Sequence, residues 1–193
     1  SLLEIGAWDP YNVTEDADLG MRLYKRGYRT RIVDSITLEE ANSQIGNWVR
    51  QRSRWVKGYI QTWLVHMRHP FRLWREVGSG AFFSFQMLIG GTFFALLMNP
   101  IYWTMTVLWY LTHAGVVKAI NPGIIFFMGS ICLYFGNFIF TYANIAGAIR
   151  QKYYDLVRSA LFSPIYWALM SIGAWRGFLQ LFFKPHFWEK TRH

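Results

Sequence analysis

Two uncharged runs decide what this chain can fold into. Residues 81–117 hold no Lys, Arg, Asp or Glu, and neither do residues 119–149; Lys118 is the single charge between them. Each run exceeds the roughly 20 apolar residues that cross a bilayer as a helix. A soluble core of this size has no need of them, because its helices keep one wet, charged face. The expectation is a membrane region. Residues 1–80, by contrast, carry 12 Lys/Arg and 9 Asp/Glu and read as water-facing.

Composition narrows the class further. Apolar residues make up 53% of the 193, which excludes a disordered chain. The net charge of +9 would suit nucleic acid, but the basic residues flank the apolar runs. Anionic lipid headgroups or an anionic substrate explain them better, so no nucleic-acid partner is expected. Cys132 lies alone inside an uncharged run, with no disulfide framework and no Cys/His metal spacing.

The order of elements suggests an architecture. Residues 14–27 read as a helix with Thr14 as cap, acids in the first turn, Lys25 and Arg26 in the last, and Gly27 as terminator. The alternation of "YRTRIV" predicts a short strand at 28–33, followed by a loop through Glu39 and Glu40. Helix, strand and loop suit the tail of an α/β domain. Residues 43–68 repeat apolar and aromatic side chains at helical spacing, with Ser43 as cap.

In and after that helix, Trp48 and Trp63 read as packing or interface residues, and His66 and His69 as surface residues. Arg68, Arg72 and Arg75 alternate with Phe71, Leu73 and Trp74 as a helix lying on a membrane does. Beyond residue 80, spans are expected at about 81–112 and 123–148. The first is one helix kinked near Asn99-Pro100 or a tight hairpin turning there. Residues 159–183, with Pro164 and Arg176, would lie in the interface or re-enter. The positive-inside tendency puts the basic segments, residues 1–80 and the tail 184–193 included, in the cytoplasm of a bacterial-type inner or plasma membrane.

Two stretches carry residue types that do chemistry. Thr14-Glu15-Asp16 places carboxylates at a helix start, where the dipole favours the anion and a fixed carboxylate can take a proton from a hydroxyl. The plain alternative is a helix N-terminus decorated with acids. Gln51-Arg52-Ser53-Arg54-Trp55 offers guanidinium groups that grip a diphosphate and an indole on which a sugar can stack. The plain alternative there is a basic amphipathic helix on the membrane surface.

Taken together, about 35 residues apart and ahead of a membrane run, the two motifs resemble the family 2 membrane glycosyltransferases, the group of cellulose, hyaluronan and chitin synthases. The resemblance covers residues 1 to about 80 by motif and the rest by topology. It implies the α/β tail of a GT-A-type glycosyltransferase domain followed by a mainly α-helical membrane region, in a fragment of a longer protein.

The roles it implies are specific. Asp16 is the general base, with Glu15 beside it in the substrate site. Trp55 stacks on the acceptor sugar, and Gln51, Arg52 and Arg54 contact the nucleotide diphosphate or order the site. "FWEKT" at 187–191 is similar to the gating loop of cellulose synthases, through Phe187 and Thr191, although it is one residue longer and lacks the Val. A juxtamembrane tail anchored by Trp188 and Lys190 is its plain alternative.

The implied partners are a nucleotide-sugar donor (a UDP-sugar), a glycan or glycolipid acceptor, and the lipid bilayer. Mg or Mn is implied for the whole enzyme, with no metal ligands in this chain. The donor pocket and its Asp-x-Asp site would precede Thr14, so the chain alone is expected to be inactive. The expected activity is inverting transfer to a growing β-linked polysaccharide. A non-processive glycolipid-forming transferase and a non-catalytic membrane transport or assembly module remain as alternatives.

Overall fold

A computed structural model describes residues 2–9, 12–31, 33, 35, 37, 40–112, 123–185 and 187, the side chains of 125, 126 and 133 excepted. Every regular element among them is helical: α1 (Glu15–Lys25), α2 (Ile45–His66), α3 (Pro70–Phe85), a π turn (Gln86–Gly91), α4 (Thr92–Thr112), α5 (Gly123–Arg150), α6 (Leu156–Leu161) and α7 (Ser163–Phe183). The expected α/β tail of a GT-A-type domain is therefore corrected. Residues 28–31 and 33 form no strand. A strand exists only through a neighbour, and no described segment pairs with this one. Its first amide is already used, because Tyr28 N donates to Leu23 O at 3.1 Å as α1 closes.

The chain divides into two compact units, Ser1–Ala95 with Ile172–His193, and Leu96–Ser171. In the first, α1, α2 and α3 bury a shared core. Met21 packs with Leu73, Val77 and Phe85, and Trp63, Met67 and Phe82 surround them. Leu73, 2% exposed, contributes about 1.5–3 kcal/mol by its burial.

Gly78 breaks α3 with φ +78°, a left-handed backbone that a side chain would strain. The amphipathic turn carrying Arg72 and Trp74 is thus set apart from the uncharged helix that follows. Gln86, inside the uncharged run, is satisfied on both sides of its amide: it accepts from Trp63 Nε1 at 2.8 Å and donates to Met67 Sδ at 3.0 Å.

The second unit is built from the rest of α4 with α5, α6 and the first half of α7. Tyr102 lies against Gly129, Phe140 meets Trp167 at 4.7 Å, and Asn144 Nδ2 donates to Ser163 Oγ at 2.9 Å. The chain stays helical through Asn99-Pro100, so the tight hairpin does not form. Among the described residues, Pro70–Thr112 (through the π turn) and Phe127–Arg150 are long and apolar enough to cross a membrane. Much of their apolar surface, such as Phe94, Tyr110, Phe138 and Ile139, faces outward.

Candidate functional site

Helix α2 organises the site through one stripe. Gln51, Trp55, Gly58, Thr62 and His66 recur at spacings of four, three, four and four, which stacks them on one side of the helix. The α1 segment lies along the second half of that stripe and leaves the first half to Gln51 and Trp55. Three contacts seat it.

The closest is at Gly58. A Cβ there would collide with the Oγ1, Cβ and Cγ2 atoms of Thr14. Thr14, expected as a helix cap, makes no side-chain cap bond; its side chain is spent on this contact and is buried. One turn on, Asn12 Nδ2 donates to Thr62 Oγ1 at 2.8 Å, and Asn12 Oδ1 accepts from Thr14 N at 3.1 Å. A further turn on, Asp18 Oδ1 meets His66 Nε2 at 2.9 Å, both side chains at least nine-tenths buried. His66 is thus an internal partner of Asp18 rather than the expected surface residue, because its stripe faces α1.

Asp18 also takes the Nε of Arg22 at 2.7 Å. The same guanidinium donates to Ile5 O and Ala7 O, both at 2.7 Å, and so ties the chain ahead of the motif to α1. Burial pushes the Asp18 carboxyl up, but the His66 hydrogen bond and the Arg22 and His66 charges outweigh it. The carboxyl sits below its ordinary value. The acids next to it differ: Glu15 and Asp16 are exposed, and Asp16 Oδ1 accepts from Ala17 N at 2.8 Å.

Around the open half of the stripe the predicted residues gather. The Arg52 guanidinium lies 4.0 Å from the centre of the Trp55 ring and 5.2 Å from that of Trp48. Trp48 is therefore part of this cluster rather than packing alone. Gln51, Arg54 and Trp55 are half-buried, with Arg54 one turn ahead of Gly58. Asn42 Nδ2 reaches Gln51 Oε1 at 3.5 Å. Tyr59, which the sequence reading did not single out, is half-buried and feels the charges of both Asp16 and Arg52. Burial and the Asp16 charge raise its phenol above the ordinary value, against an opposing pull from Arg52.

A third element reaches α2 from the far end of the chain. Lys57 is 1% exposed, and its Nζ donates to Lys184 O at 2.7 Å and Phe187 O at 2.9 Å. Gln61 Nε2 donates to Pro185 O at 2.9 Å. Gly177 of α7 lies so close to Ser53 O that a Cβ would collide with it. Phe187 therefore hangs from the residue two places past Trp55, while Thr191 lies outside the described residues. Among the described residues no three His, Cys, Asp or Glu side chains gather where they could hold a metal ion.

A helix carrying Gln-Arg-x-Arg-Trp, gripped by a Thr-Glu-Asp turn, is thus followed by helices able to cross a membrane. Residues 1–141 match glycosyl transferase family group 2. The chain belongs to that family. It is 30% identical over 118 residues to a Bacillus subtilis (strain 168) protein described as "Probable glycosyltransferase YdaM", covering 60% of this chain and 28% of that relative. The chain thus spans little more than a quarter of that relative's length. No solved structure matches it.

Within this glycosyl transferase family group 2 chain, sequence reasoning missed Asn12, Gly58, Tyr59, Thr62 and Lys57. The stripe spacing was the available signal for Gly58, Thr62 and His66. Nothing local signals Lys57, whose acceptors lie 127 and 130 residues away.

Proposed function

We propose that this chain forms the acceptor side of the active site of a membrane-bound, inverting glycosyltransferase of the cellulose, hyaluronan and chitin synthase type, as one part of a longer protein. Its donor is a nucleotide sugar, a UDP-sugar, and its product a β-linked polysaccharide grown at a bacterial-type inner membrane. Residues 1–80 and the C-terminal segment lie in the cytoplasm. The observation that carries the reading is the seating of Thr14 on Gly58, which puts the Thr-Glu-Asp turn beside the open stripe of Gln51 and Trp55.

In this reading the acceptor sugar stacks on the Trp55 face that Arg52 does not cover. Asp16, exposed at the first turn, takes the proton of the acceptor hydroxyl. The freed oxygen attacks the anomeric carbon in line; the new C–O bond forms as the bond to the diphosphate breaks, and the configuration inverts. Arg52, Arg54 and Gln51 hold the departing diphosphate, with Glu15 beside the acceptor. Phe187 and Thr191 belong to a segment that closes over the nucleotide. Mg or Mn would assist departure of the diphosphate, but these residues do not fit a metal site and no step here is routed through one.

The test uses the full-length protein and a radiolabelled nucleotide sugar. Asp16→Asn removes the base and lowers transfer by about 10²–10⁴-fold; Trp55→Ala loses the acceptor platform as well. Full activity in both variants would instead identify a non-catalytic membrane transport or assembly module. A lipid-extractable product in place of a polymer would identify a glycolipid-forming transferase.

A further inference from the structure

Away from the acceptor stripe, the first unit holds a cleft of about 280 Å³ whose walls include Lys25, Arg68, His69, Arg72 and Glu76. It is below the roughly 300–1,000 Å³ of a drug-sized ligand site but roomy for a phosphate group. Its charge is lopsided. Glu76 is the one carboxylate on the wall, and Lys25 Nζ at 3.5 Å and Arg72 Nε at 2.7 Å share it. His66 also lines the cleft, but its Nε2 is engaged by Asp18.

The side chains of Arg68 and His69 have no ion-pair or hydrogen-bond partner among the described residues, and the terminal amines of Arg72 make no hydrogen bond there. Three full cations thus converge on a concavity with one carboxylate between them. Cations so placed repel one another and draw in an anion. Guanidinium forks match phosphate oxygens bidentately.

The cleft's position selects the source of that phosphate. Pro70 opens α3 at its rim, and α3 leads directly into the uncharged run. Phe71 and Trp74, on either side of Arg72 and Leu73, are 73% and 41% exposed. Exposed aromatics interleaved with arginines belong at headgroup depth; a site for a soluble phosphate has no use for them.

We propose that this cleft binds the phosphate of an anionic phospholipid headgroup and so fixes the depth of the first unit at the membrane. The inference rests on the membrane placement in the reading above and not on its sugar chemistry, so either can fail alone. Full-length protein in detergent is titrated with phosphatidylglycerol, phosphatidylcholine and inorganic phosphate, and retained ligand is read by native mass spectrometry.

Phosphatidylglycerol is expected to be retained over phosphatidylcholine. Lys25→Gln and Arg68→Gln should each weaken it roughly fivefold, as loss of one basic residue at an anionic surface does. Arg68 has no partner to lose, so its variant keeps the fold, with circular dichroism as the check. Arg150→Gln, basic but outside the cleft, should change nothing. Equal retention of the two lipids, or unchanged retention in both cleft variants, overturns the proposal. So does inorganic phosphate binding without a preference for phosphatidylglycerol, which would assign the cleft to a soluble phosphate.

Discussion

No methyl group fits between Thr14 and Gly58. The hydroxyl, Cβ and Cγ2 of Thr14 occupy the space that a side chain at 58 would need. Gly58→Ala should therefore destabilise the protein, although alanine favours a helix by roughly 1 kcal/mol. Overpacking a seated contact costs about 1–3 kcal/mol, and the first turn of α1 must shift away from Trp55. Thermal unfolding and sugar transfer should both fall. Thr14→Ala in the same chain should return part of the stability, because it removes two of the three colliding atoms.

Asp18 and His66 predict an acid limb. Because Asp18 is held below its ordinary carboxyl value in the folded state, the unfolded chain binds the proton more readily. Its contribution is fully present above the unfolded value, near 4, and is lost as pH falls through the folded value. Urea midpoints should therefore drop as pH is lowered below about 4. Asp18→Asn should flatten that limb and cost about 3 kcal/mol at neutral pH by leaving His66 and Arg22 without their partner.

Tyr59 predicts a catalytic-rate effect without a folding effect. Its raised phenol keeps its proton above neutrality and so has an O–H to donate, while the charges of Asp16 and Arg52 pull on it in opposite directions. Tyr59→Phe should lower the maximal transfer rate of the full-length protein by about tenfold, the worth of one hydrogen bond to a charged group. Its melting temperature should stay within a few degrees of the parent.

Arg52 predicts that a conserved charge is not enough. Arg52→Lys keeps the cation but gives up the guanidinium that lies over Trp55 and Trp48. Tryptophan fluorescence should shift, and acceptor KM should rise several-fold with the donor KM less affected. Unchanged fluorescence would show that the guanidinium does not order the two rings.

Lys57 predicts loss of the C-terminal tether. Lys57→Met preserves length but removes the donor to Lys184 O and Phe187 O. Hydrogen bonds to a charged group are each worth about 1.5–3 kcal/mol. Amide exchange around 184–187 should speed up, while exchange in α1 stays slow. Lys57→Arg should restore part of the protection.

What could be read from the sequence was what lies within one helix turn or one unbroken run. Charge-free stretches and α2 follow from local pattern, and the two motifs were legible because their residue types are rare in that order. The error at 28–33 has a physical origin. Alternation is a property of six residues, but a strand is a relation between two segments, and the second is not among the described residues. Thr14 was misjudged similarly: a threonine before an acidic turn reads as a cap until a glycine on another helix takes its side chain. His66 looked exposed among Arg68 and His69, and only the α2 stripe, continued past Thr62, places it inward.

The lysine buried at 57 also sets an order of manufacture. Its carbonyl partners are 127 and 130 residues further along the chain. At about 5–20 residues per second, a ribosome needs roughly 6–25 s to reach them after making α2. During that interval these two carbonyls are missing, and burying the ammonium group without them costs more than burying it with them. The contact of Lys57 with residues 184 and 187 is thus made only after the apolar helices between them have been synthesised.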